Sequence, residues 1–387
     1  MLEYLIAPYS VKNFLRQNWT RQAVHIPASD RHKFAHLFSW EQLNHLLNFH
    51  QLDDSKLFFS LDGQALTEGS RRDWHSHFRQ GATLVINGID ENIPALASLA
   101  KELCHEIGHP VQTNLYCSPA QQRGFSSHYD SHDVMILQIE GEKEWFIFPD
   151  TFKFPTSETR SPDHLPPDQP PYLQCVMRQG DCLYIPRGHW HYAIAGEIPS
   201  LHLTIGINCF VGMNWLQWLS SELQNQPIWR QNLPLSLDGN EQDREHHLKE
   251  LQQSLIEYLQ QPDLIQKYLS NLQTEIQPVA PFSLPAQLGF NIFDQGLETE
   301  FILLKSQRIE IAIITTEDSQ EECYQVTVGS KQITITGLPL SVIKKLFQQS
   351  SFSILDMADW SPDLDLELEV IPLLTHLVTE GILLVKS

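Results

Sequence analysis

A chain of 387 residues and 44.6 kDa has room for two or three domains at about 150 residues each. Hydrophobic residues make up 42% and charged residues 19%, which provides for a packed core and excludes a disordered chain. Lys and Arg number 26 against 47 Asp and Glu, a net charge of -21 that argues against phosphate backbones as the main partner and favours a basic protein or peptide.

No apolar run reaches the roughly 18 residues that cross a bilayer, so no membrane partner is expected. The opening segment MLEYLIAPYSVKNFLRQNW lacks a basic stretch followed by an apolar one, so no signal peptide is expected. Six cysteines are scattered without a CxxC pair, as thiols of a reducing cytosol would be. The expectation is a cytoplasmic protein.

Residues 1–110 mix short helical patterns with turns. One helix should start after Ser39, a candidate N-cap with Gln42 in the capping-box position. From about residue 111 the texture becomes β-branched and aromatic. Asp133–Glu140 and Glu144–Phe148 read as strands of a hairpin that turns at Gly141. Six prolines between 155 and 171 predict a long irregular loop, after which strands resume at 180–186 and 201–207. Several short strands behind a helical start predict a barrel or jelly roll.

Apolar residues return to helical spacing at Trp215, Leu216, Trp218, Leu219 and Leu223, and again at Leu248, Leu251, Leu255, Tyr258 and Leu259. Asp238-Gly239-Asn240 should separate these helices, whose apolar stripes need cover from the barrel or from a second copy of the chain. Pro278, Pro281 and Pro285 mark a linker. The last hundred residues read strand–strand–helix–helix–strand, with helices near 339–349 and 367–379 and a closing strand at 381–385, an order resembling a winged helix. The fold class expected is therefore α+β. The domains are a barrel or jelly-roll domain at 1–212 with N-terminal helical elements, a helical region at 213–278 and a winged-helix-like domain at 279–387.

Among 18 histidines, spacing selects two places. In His128-Tyr129-Asp130 an extended strand would set imidazole and carboxylate on one face. Some sixty residues on, Pro186-Arg187-Gly188 is a turn leading into His189-Trp190-His191. One carboxylate and two histidines form the 2-His-1-carboxylate set of non-haem Fe(II) oxygenases. His189 and His191 alternate onto one face, so either serves as third ligand, and His132 also lies at even spacing from His128. The competing reading is a cupin barrel that holds no metal.

Four stretches carry a specific resemblance: Asn114–Pro119, Gly124–Asp130, Asp133–Trp145 and Gly180–His191. Together they resemble the JmjC (cupin-4) ribosomal oxygenases, Fe(II)- and 2-oxoglutarate-dependent hydroxylases of ribosomal-protein side chains. The helical middle and the winged-helix-like end follow that family's plan more loosely. The resemblance implies a double-stranded β-helix, with His128, Asp130 and His191 as both the metal ligands and the catalytic set. It implies Fe(II) as metal, with 2-oxoglutarate and O2 as cosubstrates. Lys143, fifteen residues after His128, falls where the family binds the distal carboxylate. A buried dicarboxylate needs such a cation on general grounds, although a lysine between Glu142 and Glu144 at a hairpin has solvent as its ordinary surroundings. Asn114, Tyr116 and Thr204 are further candidates to hold the cosubstrate. Gly206 stands where many relatives carry serine, a departure in that set.

The resemblance points to hydroxylation at the β-carbon of a His or Arg in a ribosomal protein, a basic target that suits an acidic enzyme. Alternatives are hydroxylation of another protein or precursor peptide, histone-type demethylation at the same iron site, and a non-enzymatic nucleic-acid module. Residues 285–387 hold 6 Lys and Arg against 15 Asp and Glu, which argues against DNA binding. The helices at 213–278 resemble the family's dimerisation region, so a homodimer is expected.

Overall fold

The computed structural model describes residues 1–50, 52, 55–61, 63–66, 73–235, 241–276, 282–303, 309–314, 323–328 and 331–386, in two compact units, Met1–Gln261 and Pro262–Ser387. The separator Asp238-Gly239-Asn240 and the prolines 278 and 281 lie outside the described residues.

The first unit opens with α1 (Leu2–Ile6), α2 (Val11–Gln17), β1 (Val24–Ile26) and α3 (Trp40–Phe49). Ser39 caps α3 by accepting the Gln42 N–H, as the capping pattern predicts. There follow β2 (Leu57–Leu61), β3 (Gln64–Leu66), α4 (Trp74–Arg79), β4 (Thr83–Ile86) and α5 (Pro94–Ile107). α5 starts on a proline that needs no N–H partner, ends on left-handed Gly108, and buries Leu96, Leu99 and Leu103 at helical spacing. β1 to β4 were not expected in a region of helices and turns. Runs of three to five residues are too short to display a period, and it is pairing with the barrel that makes them strands.

The barrel strands are β5 (Val111–Ser118), β6 (Asp133–Glu140), β7 (Glu142–Asp150), β8 (Leu173–Arg178), β9 (Cys182–Ile185), β10 (His189–Ala195) and β11 (Ser200–Ile207). Among the described residues they form two antiparallel sheets, β1-β9-β6-β11-β5-β4-β2-β3 and β10-β7-β8. The proline-rich stretch runs between β7 and β8 with a single short 3-10 turn at Ser161–Asp163. Strand alternation sorts the core. Met135 and Leu137 of β6 face the N-terminal helices and join the cluster of Phe14, Phe38 and Leu99. Val134 and Ile136 face inward, with Trp145, Ile147, Leu183 and Ala193. The sheet is thus apolar on one side by design and half polar on the other.

α6 (Gly212–Leu223) and α7 (Glu241–Leu259) complete the unit. Their contact includes the Tyr258 hydroxyl donating to Glu222 at 3.2 Å, with Leu219, Leu223 and Tyr258 buried. Leu216, Leu248, Ile256 and Leu259 stay exposed.

In the second unit α8 (Leu264–Glu275) precedes β12 (Glu300–Leu303), β13 (Ile309–Ile314), β14 (Cys323–Val328) and β15 (Lys331–Thr336). Then come α9 (Leu340–Gln348), β16 (Ser351–Ser353), α10 (Ile354–Trp360), α11 (Ile371–Thr379) and β17 (Leu383–Val385). The sheets are β16-β12-β17 and β13-β14-β15, around a core of Phe301, Val342, Leu346, Leu374 and Leu377. The strand–strand–helix–helix–strand order is therefore richer, among the described residues, by two strands before α9, by the short strand β16 and by α10. Polar alternation in Lys331–Thr336 leaves one face exposed and makes that strand weak in hydropathy.

One buried carboxylate ties the N-terminal segment to the barrel. Asp181, 2% exposed, accepts from the Ala28 and Arg178 amides at 3.0 Å, from Arg31 Nη1 at 2.8 Å and from His25 Nε2 at 3.0 Å. Burial alone would raise its pKa, but the bonds from His25 and the two amides reverse this and hold it below the usual carboxylate value. Asp181→Asn should cost about 2–3 kcal/mol at pH 7 in a urea titration. Because the folded pKa is depressed, that stability is present above the unfolded pKa and lost as pH falls through the folded one. The gap between wild type and variant should therefore close below about pH 4.

Candidate metal centre and cavity

Two segments meet at the mouth of the barrel. His128 and His191 form an isolated antiparallel bridge, with His128 N–H donating to His191 O at 3.1 Å and His191 N–H to His128 O at 2.7 Å. His128 and Asp130 do not lie in a regular strand, as the i, i+2 argument supposed. The pairing stops at the bridge, and the Asp130 carbonyl instead accepts the Gly188 N–H at 2.9 Å. Gly188 turns the chain at φ 85°, where an added β-carbon would also meet Pro155 at 2.9 Å.

The ligand-capable atoms of His128, Asp130 and His191 lie within 4.8 Å of one another, with His191 Nε2 3.5 Å from Asp130 Oδ2. Each histidine commits its Nδ1: that of His128 donates to Ser126 O at 2.8 Å and that of His191 to His189 O at 3.0 Å. A carbonyl only accepts, so the proton sits on Nδ1 and Nε2 keeps its lone pair. Burial first, then His128, lowers the His191 pKa to about 4. Burial pushes the Asp130 carboxyl up, but His191, His132 and His128 outweigh it and hold its pKa below the usual value. One carboxylate and two imidazoles that turn Nε2 towards it are the donor set a divalent metal needs.

His189 is elsewhere. The register with β7 shifts between His189 and His191, and His189 Nδ1 lies 2.7 Å from the Tyr172 hydroxyl. His132 is also outside the cluster, with its ring over Gly206, where an added β-carbon would sit 2.8 Å from His132 Cδ2. The alternate residues Tyr129 and Trp190 face away from the cluster and pack edge to face at 5.2 Å.

Behind the cluster lies a cavity between the two sheets. Phe125, Val134, Ile136, Trp145 and Ala193 make much of its wall apolar, and Lys143, Tyr116, Thr204 and His202 also line it. Lys143 points into the barrel and is 4% exposed, donating to Ser118 Oγ at 2.9 Å. Burial lowers its pKa to about 8. Asn114, opposite Thr204 in register, is not part of the wall; its side-chain oxygen accepts the Gly88 N–H at 3.0 Å. Ser118, Trp145 and His202 were missed by the sequence reading. Even spacing was the signal available: Ser118 follows Asn114 and Tyr116 on β5, Trp145 follows Lys143 on β7, and His202 precedes Thr204 on β11.

These features define a cupin barrel with a His-x-Asp…His cluster at its mouth and a buried cation within. Comparison with known proteins narrows the class: residues 91–214 match the JmjC domain. Human ribosomal oxygenase 1 is 31% identical over 219 residues, 53% of this chain and 34% of the relative. The bifunctional lysine-specific demethylase and histidyl-hydroxylase NO66 of Drosophila persimilis is 28% identical over 223 residues, 53% of this chain and 31% of the relative. The chain thus spans about a third of the length of these curated relatives. Among solved structures, the Escherichia coli ribosomal oxygenase YcfD in complex with cobalt and 2-oxoglutarate matches with a TM-score of 0.59 at 15% identity. That match covers 98% of this chain and 99% of that one, so the likeness of fold extends through both units.

A buried lysine in an otherwise apolar wall burdens the ligand-free protein. Its folded pKa of about 8 lies below the unfolded value, so the penalty is fully present below pH 8 and is relieved as pH rises towards about 10.4. Lys143→Met should therefore raise ligand-free stability at pH 7 by about 2–3 kcal/mol, and its advantage should vanish near pH 10 in thermal melts.

Proposed function

We propose that this protein is an Fe(II)- and 2-oxoglutarate-dependent oxygenase that hydroxylates a protein side chain. The observation that carries the reading is the pairing of two sites in one barrel. Three converging ligand-capable side chains sit at the mouth, and a buried cation lies within. His128, Asp130 and His191 would hold the metal on one face and leave the other open. Lys143 would neutralise the distal carboxylate of 2-oxoglutarate, with Tyr116 and Thr204 as hydroxyl partners. Asn114 would act by fixing Gly88 beside β5. When bound, Fe(II) with 2-oxoglutarate and O2 supplies oxidative decarboxylation to succinate and CO2 and the transfer of one oxygen atom into a C–H bond.

The chain's own residues do the rest. Ser126 and His189 carbonyls lock both imidazoles in the ligating tautomer, and Phe125, Trp145 and Ile136 exclude water from the cavity. The names of the relatives and the basic character of ribosomal proteins support a ribosomal protein as target, with the β-carbon of Arg or His as the atom modified. The same reading places the protein in the cytoplasm, divides it at 1–212, 213–278 and 279–387, and assigns the exposed apolar residues of α6 and α7 to a homodimer. The acidic C-terminal unit is then not a DNA reader.

Asp130→Ala should lower succinate formation at least about 100-fold while leaving the fold intact by circular dichroism. Full succinate output from that variant would overturn the metal assignment. Comparative mass spectrometry of ribosomal proteins from cells with and without the gene should find one peptide lighter by one oxygen when the gene is absent. An unchanged set, with turnover of 2-oxoglutarate retained, would move the search to other peptides, and loss of methyl groups from lysine would favour demethylation.

A further inference from the structure

His202 is a buried histidine for which the metal site has no use. It lies on β11, opposite Tyr116 of β5 in register, and is 2% exposed. The two rings stack face to face, 4.9 Å apart with 1° between their planes. Trp145 from the facing sheet closes on the imidazole edge at 5.7 Å and 78°. This packing leaves the ring no freedom to turn. Yet among the described residues the imidazole makes no hydrogen bond, and its Nδ1 is fully buried without a partner. The Trp145 Nε1 is buried and unpaired in the same way. Leaving such groups unsatisfied is costly, and native proteins do so rarely without reason.

The surroundings say what is missing. Lys143 stands two residues from Trp145 on the inward face of β7, and burial followed by its charge keeps His202 neutral, with one N–H to donate. Lys143, His202, Trp145 and Tyr116 all carry donors, and Asp130, at the mouth, is the one carboxylate among the cavity's described lining residues. Donors gathered around a buried ammonium, with the one carboxylate of the lining out at the mouth, make a receptor for an anion. A carboxylate offers two oxygens and about four lone pairs, more than one ammonium can satisfy when it is already donating to Ser118.

We propose that His202 is a second anchor, beside Lys143, for the distal carboxylate of the cosubstrate, and that it sets the preference for a 2-oxo dicarboxylate over a 2-oxo monoacid. The inference rests on the reading of the cavity as a 2-oxoglutarate site. His202 is a positioning residue in this scheme. Its ring is held by Tyr116 and Trp145, and it fixes the ligand's far end so that the keto-acid end meets the metal cluster.

The test is calorimetric titration of the full-length, Mn(II)-loaded protein with 2-oxoglutarate and with 2-oxopentanoate, which has the same chain length but no distal carboxylate. His202→Phe keeps a ring on Tyr116 and removes the donor; His202→Gln restores one. For His202→Phe the Kd for 2-oxoglutarate should rise about 10-fold or more while that for 2-oxopentanoate stays within about twofold, and His202→Gln should recover most of the loss. His202→Leu gives the same contrast if the Phe variant does not fold. Equal weakening towards both acids would show a purely structural role and overturn the proposal, as would an unchanged Kd for 2-oxoglutarate. Failure of the underlying reading is separate and visible in the wild type, as no binding of 2-oxoglutarate at all.

Discussion

The site depends on two backbone hydrogen bonds between His128 and His191. They join residues sixty-three positions apart in the chain, one ahead of β6 and the other in β10, and so fix where both imidazoles begin. Everything else in the cluster is measured from that bridge. The Tyr172 hydroxyl takes His189, and the Gly188 N–H fixes Asp130 by its carbonyl. Side-chain carbonyl bonds then choose the tautomers. Because backbone holds backbone, the ligand geometry does not wait for a metal to organise it.

The second constraint is electrostatic. A lysine ammonium in the barrel is stabilised here by one serine hydroxyl and by no carboxylate partner among the bonds described. The fold carries that unfavourable charge because large sheets and two apolar clusters, inside and outside the main sheet, supply a surplus. Stability lost at the cavity is recovered when an anion arrives, so binding and folding are linked through one residue.

Much of this was legible in the sequence, and the reasons differ by element. β6, β7, β9 and β11 announce themselves because their apolar, β-branched or aromatic runs are bounded by glycine or proline. Helices α3, α6 and α7 follow from spacing and caps. The short strands β1 to β4 exist only through pairing with distant partners, which a local pattern does not encode. For the site, the His-x-Asp spacing and the later His pair were visible, but choosing between His189 and His191 required their distant partners, His128 for the one and Tyr172 for the other. Lys143 was ambiguous for a similar reason: its neighbours Glu142 and Glu144 face outward, and the inward face of the strand is known only once β10 and β8 flank it. His202 went unnoticed because an unpaired ring is a property of surroundings, not of spacing.

Gly206 and His132 show how far such constraints reach. No β-carbon fits at position 206 while the His132 ring rests there, since the nearest ring atoms would stand at 2.8 and 2.9 Å. The two positions are therefore one decision made twice in the chain. A descendant that acquires a serine or alanine at 206 must give up, or swing out, the imidazole at 132. The side chain permitted at one site thus sets where the ring at the other can rest, although seventy-four residues separate them.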